Sequence, residues 1–153
     1  MQIYGFPDVL DGFLLGATPD GRKRGEPISN GISPANQRDA QAGPLAVLRS
    51  AANLPPECIS SGVALNLNFH PSSIKSENGL LAFTSMVKTY FELGGMHFQP
   101  NVVSRETLWD AQRRPHLYRD LIVKVSGYSA YYTDLGKPIQ DDIISRSEHH
   151  LYD

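Results

Sequence analysis

Apolar and polar residues alternate with a period of two from Val63 to Phe69: Val63, Leu65, Leu67 and Phe69 are separated by Ala64, Asn66 and Asn68, and Pro71 closes the run. That period predicts a strand with one apolar face and one unusually amide-rich face. From Asn78 to Leu93 the spacing changes. Leu80, Phe83, Val87, Tyr90 and Phe91 recur at three- and four-residue intervals and Gly94-Gly95 supplies a stop, so a helix is expected. Met96 to Val103 predicts a second strand, which Pro100 confines to an edge, a bulge or a strand end because proline has no N–H to give a ladder. Ser104 is a good N-cap for a helix over Arg105 to Arg114, with Glu106 in the first turn and Pro115 beyond the end. Leu121 to Val125 predicts a short buried strand, followed by a loop from Ser126 to Tyr132. Pro138 then opens a final helix through Arg146, with Asp141 and Asp142 toward its positive end. A shorter helix, Leu45 to Ala52, is stopped by Asn53 and Pro55-Pro56. Strands and helices alternate, which implies the α/β class with parallel strands joined by crossover helices.

The first third reads differently. Pro19-Asp20-Gly21, Gly25-Glu26-Pro27, Asn30-Gly31 and Ser33-Pro34 stack turn signals between Gly12 and Pro44, predicting a long irregular surface or binding loop. At 153 residues the chain suits one domain. Its regions divide as a Gly/Pro-rich irregular part (1–44), an α/β scaffold (45–122), a strand with its following loop (123–133) and a closing helix with its tail (134–153).

Composition removes several function classes. Fourteen Lys and Arg against sixteen Asp and Glu leave a net charge of −2, too balanced for electrostatic capture of nucleic acid or an acidic membrane. The single Cys58 excludes an intramolecular disulfide and a multi-cysteine metal site within this chain. Polar residues interrupt every apolar stretch before the ~18 needed to span a bilayer, and a soluble, cytoplasmic protein is expected. His70, His97, His116, His149 and His150 lack the spacing of a metal-binding helix and read as surface or capping residues. Neither a glycine-rich dinucleotide fingerprint nor a phosphate loop is present. The clusters Arg22-Lys23-Arg24 and Arg113-Arg114 read as solvated surface.

The distinctive stretch is Val123-Lys124-Val125-Ser126-Gly127-Tyr128-Ser129-Ala130-Tyr131-Tyr132, aromatic-rich with one glycine. Composition alone would make Gly127 a turn or bulge residue. The order of residues closely resembles the radical-bearing loop of glycyl radical enzymes, the family of pyruvate formate-lyase, glycerol dehydratase and choline trimethylamine-lyase. The resemblance continues through Asp134 to His149 and upstream through Gly94 to Val103, Asp110-Ala111-Gln112, Ala64 to Phe69 and Gly16 to Arg22. It implies the C-terminal portion of that family's β/α barrel, ending in the radical loop and a terminal helix.

A backbone radical needs glycine for a physical reason. The amide nitrogen donates and the carbonyl withdraws through one planar carbon, and a side chain would clash with that planarity. The resemblance implies that Gly127 carries the unpaired electron and that Lys124, Val125, Ser126, Tyr128 and Ser129 surround it, with Ser126, Tyr128 and Ser129 ordering the loop. It further implies a separate S-adenosylmethionine/iron–sulfur activase that removes a hydrogen from Gly127, a mobile loop, and no cofactor bound to this chain. The stored radical would pass to a catalytic cysteine, but no glycine–cysteine–valine–glutamate loop or cysteine pair is present, and Cys58 reads as an ordinary small apolar residue. Lys124 stands where many members carry arginine, a change that can alter activase docking or loop anchoring. The expected role is a radical-storing domain, as a separate small subunit or part of a longer chain. It would work with a large subunit holding the cysteine loop, and could replace the radical domain of an oxygen-cleaved enzyme. The alternative is a non-enzymatic interaction module that keeps only the scaffold.

Overall fold

The structure, a computed structural model, describes residues 7–151 except 20, 35–41, 56, 58, 60–62 and 147. Cys58, read from the sequence as an ordinary small apolar residue, lies outside the described residues. The alternating segment forms β1 (Leu65–Phe69), the middle strand of a three-stranded parallel sheet. β2 (Phe98–Val102) pairs along its whole length on one side, from Leu65 opposite Phe98 to Phe69 opposite Val102. β5 (Glu148–His149), not anticipated from the sequence, pairs with Asn68 and Phe69 on the other. All five residues of β1 are buried, so the amide-rich face expected to be polar is covered as well. Its donors find partners: Asn66 Nδ2 donates to Asn30 Oδ1 (3.2 Å), Asn66 N–H to Ser33 Oγ (2.7 Å), and Asn68 Nδ2 to the Ile143 carbonyl (3.3 Å), while the side-chain oxygens of Asn66 and Asn68 have none among the described residues. A buried amide left unpartnered would cost far more than its bond contributes.

The helices stand close to their expected places. α2 (Pro44–Ala52) begins with a proline in its first turn. α3 (Glu77–Glu92) is capped by Ser76, whose hydroxyl accepts from Gly79 N–H, and α4 (Arg105–Arg113) by Ser104, which accepts from Thr107 N–H. α5 (Lys137–Ser145) begins one residue before Pro138, which stands in its first turn. The irregular first third opens with a helix, α1 (Pro7–Leu14), followed by successive turns. There the Arg22 side chain is not solvated surface but is buried. Its guanidinium donates to the carbonyls of Lys23 (3.2 Å), Glu26 (2.6 Å) and Gly16, which gathers the turns around one cation.

Two apolar clusters flank the sheet. One packs α2 and α3 on β1 through Val47, Leu48, Leu65, Phe69, Met86 and Tyr90. The other joins α4 and α5 to the third strand through Leu108, Ala111, Val123, Val125, Tyr132 and Ile143. That third strand corrects the expectation of uniformly parallel pairing. β3 (Ile122–Lys124) does not join the sheet; it folds back on β4 (Ser129–Tyr131) as an antiparallel hairpin, so the expected loop from Ser126 to Tyr132 is half strand. A connection this short permits only antiparallel return, whereas parallel neighbours need a long crossover. His149 likewise departs from the surface reading, being buried at the sheet edge beside Phe69.

Candidate functional site: the Gly127 hairpin

Lys124 and Ser129 face each other as the last ladder pair of the hairpin, and the Val125 N–H donates to the Tyr128 carbonyl at 2.9 Å. Ser126 and Gly127 therefore occupy the tip. Gly127 adopts φ 76°, the left-handed conformation required at the third position of several tight turns and easily reached only by glycine. It is exposed, and among the described residues a methyl group built in its side-chain position meets no heavy atom within 4 Å beyond its immediate chain neighbours. The glycine is thus required by backbone conformation and not by crowding, and one Cα–H points into open space.

The hairpin has a fixed base. Tyr132 N–H donates to the Leu121 carbonyl (2.8 Å), and Gln140 of α5 donates to the carbonyls of Tyr132 (2.9 Å) and Leu135 (3.1 Å). Val123 and Val125 are buried in the α4–α5 cluster. Burial of Tyr132, with Asp141 nearby, pushes its phenol well above the usual tyrosine range, so it stays protonated and serves packing.

Polar side chains join the hairpin to the rest of the chain. Asn101 on β2 receives Lys124 N–H on Oδ1 (2.6 Å) and donates Nδ2 to the Lys124 carbonyl (2.7 Å), imitating the two bonds a neighbouring strand would make. Gln99, two residues earlier on the same strand, accepts the Gly127 N–H on Oε1 at 3.1 Å. The Val125 carbonyl receives Asn30 Nδ2 (3.0 Å) and Arg146 Nη1 (3.0 Å). Arg146 is held in turn by Asp142 in a largely buried pair at 2.9 Å. Behind these groups lies a polar cavity of about 30 Å³ bordered by Asn30, Asn66, Asn68, Asp142, Arg146 and His149, large enough for a water molecule.

The residues singled out from the sequence all fall on this hairpin. Lys124 Nζ donates to Ser129 Oγ (2.7 Å) across the ladder, Ser126 is half-buried, and Tyr128 is partly exposed at the tip. Sequence reasoning missed the roles of Asn30, Gln99, Asn101 and Arg146. The one available signal was two amides, Gln99 and Asn101, spaced to share a face of a strand whose intervening Pro100 has no N–H. Among the described residues no group of three His, Cys, Asp or Glu is placed to hold a metal ion, and no helix is long and apolar enough to cross a membrane.

Comparison with known proteins bears on this hairpin directly. Residues 28–133 match the family described as glycine radical. The chain is 46% identical over 138 residues to indoleacetate decarboxylase of Tractidigestivibacter scatoligenes, covering 90% of this chain and 16% of that protein. It is 47% identical over 136 residues to the probable dehydratase YbiW of Escherichia coli K12, covering 88% and 17%. Among solved structures, the glycerol-bound B12-independent glycerol dehydratase of Clostridium butyricum superposes with a TM-score of 0.90 at 45% identity over 95% of this chain and 18% of its own. The hydroxyproline dehydratase of Clostridioides difficile superposes at 0.85 and 39% identity, over 94% and 18%. The chain spans less than a fifth of the length of these relatives. The mixed α/β fold matches the C-terminal portion of their barrels. With the family match running through the Gly127 hairpin and the fold shared over nearly its whole length, this chain is a glycyl radical domain and belongs to the glycyl radical enzyme family.

Proposed function

We propose that this chain carries and stores an unpaired electron on Cα of Gly127 for an anaerobic lyase or dehydratase whose catalytic cysteine lies on another polypeptide or in a further segment. The observation that carries this reading is the geometry of Gly127: a hairpin-tip glycine, exposed, with open space on its side-chain side. Charging breaks one Cα–H bond homolytically. The hydrogen atom leaves to a radical that the partner activase generates from S-adenosylmethionine, and the odd electron remains on Cα. In turnover the charged carbon takes a hydrogen atom from the partner's cysteine thiol, leaving a thiyl radical to attack substrate, and gives it back at the end. Both transfers need a reacting atom from outside this chain to approach Gly127, which its exposure allows.

Shielding the radical requires the larger partner, since this chain leaves Gly127 open to solvent. A large partner also accounts for the outward side chains of α3 and its C-terminal turn, where Leu80, Leu81, Phe91 and Leu93 are exposed. The relatives' names divide among indoleacetate decarboxylation, trans-4-hydroxy-L-proline dehydration and isethionate sulfite-lysis, so what they support in common is a bond-cleaving reaction on differing substrates. A role as a replacement radical domain for an oxygen-cleaved enzyme belongs to the same reading.

Anaerobic incubation with an activase and S-adenosylmethionine should give a glycine-centred doublet in electron paramagnetic resonance. Gly127→Ala should be silent yet folded, because the added methyl finds room and costs only left-handed backbone strain, on the order of 1 kcal/mol. No doublet from the chain, while the same activase charges a full-length relative, would overturn the proposal. Adding the charged chain to an enzyme lacking its own radical loop should restore turnover.

A further inference from the structure

We infer that Gln99 is a positioning residue for the radical centre: its side-chain amide oxygen holds the Gly127 N–H and so fixes the orientation of the amide that must conjugate with Cα. The inference rests on Gly127 being the charged residue. Its geometry is a 3.1 Å bond from the Gly127 N–H to Gln99 Oε1, made by a half-buried side chain on a strand anchored to β1 along its entire length. The N–H can only donate, so the acceptor must be the oxygen of the Gln99 amide.

The position on β2 explains why a side chain serves here. β2 is an edge strand, and the hairpin lies beside it without a backbone ladder between them. Pro100 sits between the two amides that reach the hairpin. Asn101 takes up both polar groups of the Lys124 backbone, and Gln99, one pleat away, takes up the N–H of the glycine itself. Asn101 thus sets the height of the hairpin, and Gln99 sets the plane of one peptide at its tip.

The chemistry makes that plane matter. A glycyl radical is stabilised when the nitrogen lone pair overlaps the half-filled orbital on Cα. An acceptor on the N–H pushes electron density toward that nitrogen and holds this amide plane as the fixed reference toward which the downstream peptide can turn. Replacing Gln99 by an apolar residue of similar size therefore removes both effects without opening a cavity.

Two isosteric variants separate this role from simple packing. Gln99→Leu keeps shape and loses the acceptor; Gln99→Glu keeps shape and an acceptor oxygen. In the uncharged protein, hydrogen exchange at the Gly127 amide should speed up about fivefold in Gln99→Leu, within the range expected for one lost hydrogen bond. In Gln99→Glu it should stay near the wild-type rate. In the charged protein, Gln99→Leu should change the exchangeable N–H hyperfine coupling, read by comparing spectra in H2O and D2O, and shorten the radical lifetime severalfold, while Gln99→Glu restores both. Should Gln99→Leu prove poorly folded, Gln99→Ala serves for the same readings. Unchanged exchange and an unchanged spectrum in the Leu variant would overturn the inference, as would equal losses in the Leu and Glu variants. Failure of the wild-type chain to charge strikes instead at the assignment of Gly127, and the exchange measurement on uncharged protein still decides whether Gln99 holds the amide.

Discussion

The central strand β1 and the β3–β4 hairpin are built from similarly short apolar segments, yet they are attached in opposite ways. β1 is buried at every residue and carries backbone ladders on both sides, to β2 over its full length and to β5 at its end. The hairpin makes its ladder only with itself and meets the neighbouring strand through the side chains of Gln99 and Asn101, with Asn30 and Arg146 holding the Val125 carbonyl. A backbone ladder is lost only when the strand unravels. A handful of side-chain bonds can be released one rotamer at a time while both partners stay folded. The comparison separates a scaffold held by ladders from a hairpin whose tip is tethered by side chains above a base packed through Val123 and Val125; the charging proposed for Gly127 would use that releasable tip.

The largest expected effect breaks the scaffold side. Phe69 is fully buried and meets Phe83 edge-on at 5.2 Å and Phe98 at 6.3 Å, so Phe69→Ala should cost about 3–5 kcal/mol in denaturant unfolding. Asn101→Leu tests the detachable side. It strands the N–H and carbonyl of Lys124, and a loss of about 1–3 kcal/mol is expected, read as faster amide exchange across β3 and β4 with β1 unchanged. If β1 loosened in parallel, the two regions would be one cooperative unit and the contrast would fail.

The smallest effect concerns the junction of the two regions. Burial, reinforced by the neighbouring His150, holds the His149 imidazole below its ordinary value of 6.5. A histidine depressed in the folded state favours folding while neutral. Its contribution is complete above about pH 6.5 and is lost as the pH falls through the lower folded value, with a slope of at most about 1.4 kcal/mol per pH unit. His149→Gln should flatten the stability profile over that interval in urea titrations at successive pH values, and an unaltered slope would assign the effect to other groups.

Periodicity and caps made most of the scaffold legible. Leu80, Phe83, Val87 and Tyr90 mark α3, Ser104 and Pro115 bracket α4, and Pro138 opens α5, because each signal acts within a turn or two of the chain. What escaped depends on distant partners. Asn66 and Asn68 read as a solvent face, yet residues 36 and 75 positions away in sequence supply their bonds. β4 and β5 are two or three residues long, too short for a period to register. The position of the hairpin glycine was readable from the order of residues around it, whereas its tethers on β2 and α5 were not, since nothing local to Gln99 or Arg146 points at Gly127 or Val125.

The left-handed torsion of Gly127 has a dynamic corollary. A trigonal carbon shares its spin with both flanking amides only when the chain through it is fully extended or fully eclipsed, and φ 76° is neither. In the charged state proposed for Gly127, full delocalisation therefore requires the tip to unwind as the downstream peptide swings toward the plane of the upstream one. Only a residue without a side chain can make that journey cheaply in both directions, so the site calls for glycine twice, once for the resting turn and once for the path out of it.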